Sequence, residues 1–278
     1  MHDEILKWYE KNKRDLPWRK TTPWGVLVSE FMLQQTPVSR VLPIWNEWMK
    51  RWPTPEEMAK SSKSELLKAW GGLGYPRRAL RLHETSKIIT EKFGGLVPKN
   101  EIELRSLPGV GEYTAAAIQA FAFKQRSLVL DVNVRRLFVR MMSGKEYPNL
   151  HVTQSEKSEW EKLMPNEAHM WAAATMELGA TICISKKPRC EMCPVAQLCE
   201  WRRRGYPTSH VKPKSQSWHG TDRQCRGTVM KFLRENDRAT KGALSKLWSD
   251  NKQLEKALQS LIEDGLIQKR NSSFLLAE

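Results

Sequence analysis

Leu107-Pro108-Gly109-Val110-Gly111-Glu112-Tyr113-Thr114-Ala115-Ala116-Ala117-Ile118 is the stretch on which the fold turns. Apolar spacing predicts a helix over 101–107, a stop at Pro108-Gly109, and a new helix over 113–123. Glycines at 109 and 111 let backbone approach a ligand with no Cβ in the way. The amides opening the second helix would then meet a phosphate oxygen, favoured by the helix dipole. This is the pattern of a helix-hairpin-helix, a grip on the DNA backbone that reads no bases. A short glycine turn between helices is common, so the neighbours of this stretch must carry part of the weight.

Working outward, helical spacing recurs at 26–33, 56–70, 79–93, 132–142 and 168–182. Turn signals separate these segments, among them Trp52-Pro53-Thr54-Pro55, Gly71-Gly72-Leu73-Gly74, Gly94-Gly95 and Tyr147-Pro148-Asn149. The class expected is all-α, with one large domain over 1–201. Residues 202–222 begin Arg202-Arg203-Arg204 and lose apolar periodicity, which reads as a basic linker. Order returns over 223–278. Val229, Phe232 and Leu233 mark a first helix there, and Ala243, Leu244 and Leu247 a second. Leu254, Leu258, Leu261 and Ile262 mark a third, ending at Gly265. Leu266-Ile267 and Phe274-Leu275-Leu276, joined by Asn271-Ser272-Ser273, read as a hairpin. Three helices and a hairpin outline a winged-helix-like module. A small helical cap on the first domain is the plainer alternative.

Cys183, Cys190, Cys193 and Cys199 lie within residues 183–199, spaced C-x6-C-x2-C-x5-C. The spacing is not the paired C-x2-C of a zinc ribbon. Four thiolates in one loop suit a [4Fe–4S] cluster, and zinc is the rival. The cations Lys186, Lys187 and Arg189 stand in this loop, poised for phosphates or for solvent.

The 278 residues include 46 Lys and Arg against 31 Asp and Glu, a net charge of +15. That excess favours a polyanion, with nucleic acid the first candidate. No apolar run reaches the length of a membrane span, and Met1–Asp15 does not read as a signal peptide. Five cysteines without a secretion signal suit a reducing cytoplasm.

Twenty residues past Gly111 comes Leu130-Asp131-Val132-Asn133. Glu30 sits among Val28, Phe31 and Leu33. By themselves these carboxylates read as helix caps or surface charges. Only a family resemblance makes them a pair for glycosyl-bond cleavage, where one carboxylic acid protonates the leaving group and the other steadies an oxocarbenium-like transition state. Apolar surroundings would keep Glu30 protonated as general acid.

The order of hairpin, downstream aspartate and cysteine loop resembles the endonuclease III superfamily of base-excision DNA glycosylases. Within it the chain is most similar to the MutY adenine glycosylase family, in a short actinobacterial-like form. Five segments carry the likeness: Leu16-Pro17-Trp18-Arg19, Ser29–Thr36, Trp70–Tyr75, the Asp131 segment, and Met176-Glu177-Leu178-Gly179-Ala180 leading into Cys183.

The resemblance implies a two-lobed helix-hairpin-helix glycosylase with a [4Fe–4S] cluster on the four cysteines. It implies hydrolysis of adenine mispaired with 8-oxoguanine or guanine. Glu30 would protonate adenine N7, Asp131 would stabilise the sugar cation, and Asn133 would orient Asp131 or the attacking water. Tyr113 stands where endonuclease III carries a Schiff-base lysine, so strand cleavage is not expected. Arg14, Trp18 and Leu33 would line the adenine pocket. Gln35 and Tyr75 would wedge into the stack, with Gln34 and Thr36 beside them. Glu177 is a further carry-over, with a plain helix-surface carboxylate as its alternative. Thymine or uracil removal opposite guanine, or DNA binding without catalysis, stand as alternatives. The expected partner is double-stranded DNA containing mispairs, met by a monomer in a bacterial, nucleoid-associated cytoplasm, with no membrane role. A replication clamp or another repair protein is a further candidate partner.

Three departures are expected to matter. Val132 replaces a glycine common in the family, Pro76 follows Tyr75 where a second tyrosine is usual, and the 8-oxoguanine-reading Nudix-like domain has no counterpart in residues 223–278.

Overall fold

The structure is a computed structural model and describes residues 1–209 and 218–278. Among the described residues the helices are, in chain order, α1 (His2–Asn12), α2 (Pro23–Leu33), α3 (Val38–Arg51), α4 (Pro55–Ala59), α5 (Lys63–Trp70), α6 (Arg77–Phe93), α7 (Glu101–Ser106), α8 (Glu112–Phe123) and α9 (Val132–Phe138). There follow α10 (Gln154–Lys162), α11 (Ala168–Thr181), α12 (Glu200–Arg203) and α13 (Asp222–Glu235), then β1 (Ala239–Thr240), α14 (Lys241–Ser245), α15 (Asn251–Glu263), β2 (Ile267–Arg270) and β3 (Ser273–Leu276). The all-α expectation holds, with one small sheet near the C-terminus. No described helix is long and apolar enough to cross a membrane.

The chain divides into two compact units. The first holds Met1–Val26, Lys99–Arg105 and the residues from Val110 up to the undescribed segment. Its core gathers Ile5 and Tyr9 from α1, Leu137 and Phe138 from α9, Trp160 from α10, and Trp171 and Leu178 from α11. Phe138 stacks on Trp160 at 5.6 Å between centroids.

The second unit holds Leu27–Pro98, Ser106–Gly109 and the residues after the undescribed segment. Trp48 lies edge-on to Trp52 at 4.9 Å and to Trp70 at 5.4 Å. Each indole N–H is satisfied, donating to the Ala69 carbonyl, Ser61 Oγ and the Gly74 carbonyl respectively. This is how tryptophan is accommodated in a core: the ring is buried and its one donor is given an acceptor.

The C-terminal part of this unit runs helix, strand, helix, helix, strand, strand, with strand order β1-β3-β2, all antiparallel. That is a winged-helix order of elements. Leu233, Leu244, Leu254, Leu258 and Leu261 are buried within it. The helix α13 packs on α15, and α13 and β3 also touch α5.

Several boundaries differ from the sequence expectation. The single helix expected over 56–70 is two, because Ser62 and Glu65 form a reciprocal capping box that starts α5 afresh. Helices α1, α3 and α10 carry apolar residues diluted by charge and went unpredicted. The helix expected over 132–142 tightens only to Phe138, then widens into a π-type turn over Val139–Ser143. Leu247, assigned to the second module helix, lies beyond α14 and is exposed. Residues 210–217 of the expected linker lie outside the described residues.

Candidate active site and cysteine loop

The hairpin is formed as expected, α7 and α8 flanking the turn at 107–111. Its two glycines do different jobs. Gly109 has φ +85°, and a Cβ there would lie 2.9 Å from Phe31 Cε1. It is glycine for backbone shape and for close packing on α2. Gly111 caps α8 with φ −92°, and nothing lies within 4 Å of an added Cβ. Conformation does not require glycine at 111, and the space before the α8 amides is open. Tyr113 sits in the first turn of α8, partly buried beside Ala116 and Ala172.

Asp131 is the N-cap of α9. Its Oδ1 accepts from the Val134 amide at 2.7 Å, and its Oδ2 accepts from Asn133 Nδ2 at 2.6 Å. Burial pushes its carboxyl above the ordinary aspartate value, opposed by those two donors and by the Arg136 charge. Asn133 is itself held: its Oδ1 accepts from Arg136 Nη2 at 2.9 Å. Arg136 also donates to the carbonyls of Cys183 at 2.8 Å and Gly179 at 2.7 Å. Gly179 is tight on this segment, since a Cβ would come within 2.7 Å of the Asn133 carbonyl oxygen. Val132 opens α9 with 63% of its surface exposed and without positive φ. The valine is therefore unstrained here, contrary to the concern its sequence raises.

Glu30 lies on α2 and is 5% exposed. The C-terminal end of α2 and the loops after it are held by Arg78, a buried arginine of α6. Its Nη1 donates to the carbonyls of Phe31 at 3.0 Å and Met32 at 3.1 Å, and to that of Gln34. Its Nη2 donates to Thr36 Oγ1 at 2.9 Å and to the Gly74 carbonyl at 3.0 Å. Desolvation draws its pKa down to about 10. Thr36, expected to face DNA, is buried. Its hydroxyl accepts from Arg78 and donates to the Leu73 carbonyl at 3.2 Å. Leu33 and Gln34 are half-buried. Gln35 and Tyr75 are exposed, and both take the left-handed region at φ +54° and +47°. Non-glycine residues held so persist where surrounding structure enforces them, often at functional sites.

Arg14 and Glu177, taken separately from sequence, are partners. Glu177 is 1% exposed. It accepts from Arg14 Nε at 2.6 Å, Arg14 Nη2 at 3.0 Å, the Arg14 amide at 3.2 Å and Arg19 Nη2 at 2.7 Å. Burial raises its pKa and the two arginines lower it, with a net depression. The helix-surface alternative for Glu177 is excluded by this burial. Trp18, between the two arginines in sequence, is buried in the same loop.

The four cysteines line one cavity, with Leu137, Arg140, Ile182 and Trp201 among its walls. Arg140 Nη1 donates to Cys183 Sγ at 3.6 Å and to the Ile184 carbonyl at 2.8 Å, and its guanidinium lies 4.4 Å from the Trp201 ring. Burial raises the Cys183 and Cys190 thiols and pushes Cys193 up to about 11. Among the described residues no three His, Cys, Asp or Glu side chains converge closely enough to hold a single metal ion.

Residues 28–162 match the HhH-GPD superfamily base excision DNA repair protein model. The adenine DNA glycosylase of Mycobacterium tuberculosis (strain ATCC 25618 / H37Rv) is 44% identical over 270 residues, 95% of this chain and 88% of that one. This chain belongs to the adenine DNA glycosylase family of the HhH-GPD superfamily. A second family member, from Mycolicibacterium smegmatis, is 44% identical over 99% of this chain and 95% of its own. Among solved structures, a thermostable thymine-DNA glycosylase is 30% identical at a TM-score of 0.67, covering 73% of this chain and 94% of that one.

Sequence reading of this adenine DNA glycosylase family member missed Arg78, Arg136 and Arg140. A signal existed: Arg78 falls on the same face of α6 as buried Leu82 and Ile89, where a surface arginine does not belong.

Proposed function

We propose that this chain is a monofunctional glycosylase of base-excision repair, hydrolysing the N-glycosidic bond of adenine mispaired with 8-oxoguanine or guanine. The observation that carries the reading is 44% identity to adenine DNA glycosylases over nearly the whole chain. The side chains support it. Glu30 is a buried carboxyl on an apolar helix, suited to delivering a proton to adenine N7. Asp131 is held by an amide of the α9 N-terminus and by Asn133, donors fixed in advance for an anion that steadies a sugar cation. Arg14 and Trp18, on a loop clamped by Glu177, and Leu33 would contact the extruded base. Gln35 and Tyr75 would fill the gap it leaves, with Gln34 behind them. The amides after Gly111 would hold a phosphate.

The four cysteines line one cavity, which suits a [4Fe–4S] cluster held by four thiolates, with zinc as the rival. When bound the cluster would brace residues 183–199 and supply no group to hydrolysis. The residues over 1–201 would form the catalytic part, acting as a monomer on mispaired DNA in a bacterial cytoplasm. A replication clamp or another repair protein is a further partner of the same proposal.

The test is a panel of A·8-oxoguanine, A·G, T·G and U·G duplexes assayed for abasic sites. Adenine release, lost in Glu30→Gln, is expected. Release of thymine or uracil instead would move the chain toward the thymine-DNA glycosylase it resembles. Borohydride should trap no covalent complex, because Tyr113 cannot form a Schiff base.

A further inference from the structure

Tyr75 does not stand alone on its surface. Its hydroxyl lies 3.4 Å from Arg223 Nη1, at the start of α13 in the C-terminal module. The Arg223 guanidinium in turn lies 5.2 Å from the Trp218 ring centroid. The Trp218 ring also rests over Gly227, one turn further along the same face of α13, 3.5 Å from where a Cβ would sit. The turn carrying the indole is built with care. Thr221 caps α13 and its hydroxyl donates to the Trp218 carbonyl at 2.8 Å. Gln253 Nε2 donates to the Gly220 carbonyl at 3.1 Å and to Asp222 Oδ1 at 2.8 Å.

The result is an aromatic–guanidinium–aromatic row whose two rings are open. Tyr75 is 47% and Trp218 45% exposed. Trp218 is the one exposed tryptophan among the described residues, the others being buried or half-buried. Open rings beside a guanidinium stack on nucleobases, and a chain of net charge +15 brings DNA to them.

We propose that the C-terminal module extends the DNA-reading surface, with Trp218 stacking on an unpaired base of the strand opposite the extruded nucleotide and Arg223 fixing it beside Tyr75. The proposal rests on the reading of Tyr75 as the wedge. The ligand is distorted duplex DNA. The surface selects for a base that has lost its partner, because such a base unstacks more easily, whereas a base held in an intact duplex has both faces covered by its stacked neighbours.

The experiment measures equilibrium binding of the full chain to a duplex carrying a non-cleavable adenine analogue opposite 8-oxoguanine, and to the matched homoduplex. Trp218→Ala should weaken mispair binding roughly tenfold, the loss of one stacked base, and homoduplex binding less than twofold. Trp218→Phe keeps a ring and should stay within threefold of the parent. Arg223→Ala should weaken mispair binding several-fold. Mispair binding by Trp218→Ala within twofold of the parent overturns the proposal. So does an equal loss on both duplexes, or a Trp218→Phe variant as weak as the alanine. The two readings fail separately: a parent chain that releases no base refutes the reaction, while a Trp218 effect confined to the mispair still supports the surface.

Discussion

Replacing Glu177 by glutamine tests whether the loop over residues 13–20 is held electrostatically. The carboxylate is 1% exposed and accepts four hydrogen bonds, three from guanidinium nitrogens of Arg14 and Arg19 and one from the Arg14 amide. Glutamine keeps the shape but has one acceptor oxygen, and its NH2 group would face a guanidinium. Removing one partner of a buried ion pair costs about 3–5 kcal/mol. Here the arginine side chains are 39% and 23% exposed and recover part of their hydration, so the cost falls to about 2–3 kcal/mol. For a chain of this size that is a melting-temperature loss of about 4–10 °C. The pH dependence has a definite sign. The folded carboxyl sits below its ordinary 4.5, so its contribution is complete above that pH and fades as pH falls through the folded value. The parent and Glu177→Gln melting curves should therefore be furthest apart near neutrality and converge in acid. Scanning calorimetry from pH 7 to pH 3 measures this. A constant gap across that range, or a loss below about 1 °C at pH 7, refutes the clamp.

Asp131→Asn should keep the cap on α9 but set an NH2 group against Asn133 Nδ2, lowering melting by about 2–4 °C, and slow single-turnover base release by about a hundredfold or more. In the parent, the acid limb of the rate should lie above the ordinary aspartate value of 3.8, because burial raises this carboxyl. Gly109→Ala should destabilise the fold by about 1–3 kcal/mol in urea unfolding, through positive φ and the Phe31 contact. Gly111→Ala should leave stability within about 0.5 kcal/mol and weaken duplex binding. Cys193→Ala should abolish a brown visible absorbance and bound iron, whereas a colourless parent that binds zinc would overturn the cluster assignment.

What was legible in the sequence was local. The hairpin, the cysteine loop and the C-terminal helices are written in short stretches whose turn residues or periodicity decide conformation without help from afar. Two helix starts were equally legible and were passed over: Ser62-x-x-Glu65 and Thr153-x-x-Glu156 are both capping boxes in the structure. The strand β1 could not be read, because two residues carry no periodicity and exist as a strand only by pairing with β3. The packing roles of Thr36 and Gly109 went unread for the same reason. Each is set by a residue distant in sequence, Arg78 for one and Phe31 for the other.

The deepest loss was in the arginines. Counted in the sequence, they contribute to a charge of +15 and point outward to DNA. In the fold, Arg78, Arg136 and Arg140 are buried, and most of their acceptors are backbone carbonyls. A guanidinium has five donors in a rigid fork, so one side chain can satisfy several carbonyls that an irregular loop leaves unpaired inside the protein. That explains where these three sit. Arg78 serves the turns that present Gln35 and Tyr75, Arg136 joins Asn133 to the Cys183 carbonyl, and Arg140 closes on Ile184 and Ser185. The charge is then more than a structural convenience. Arg140 and Arg136 draw the buried Cys183 thiol toward its anionic form against desolvation, the form a metal-thiolate ligand requires. Lysine at any of the three would keep the charge and lose the fork, so substitution by lysine should loosen these loops nearly as much as removal of the side chain.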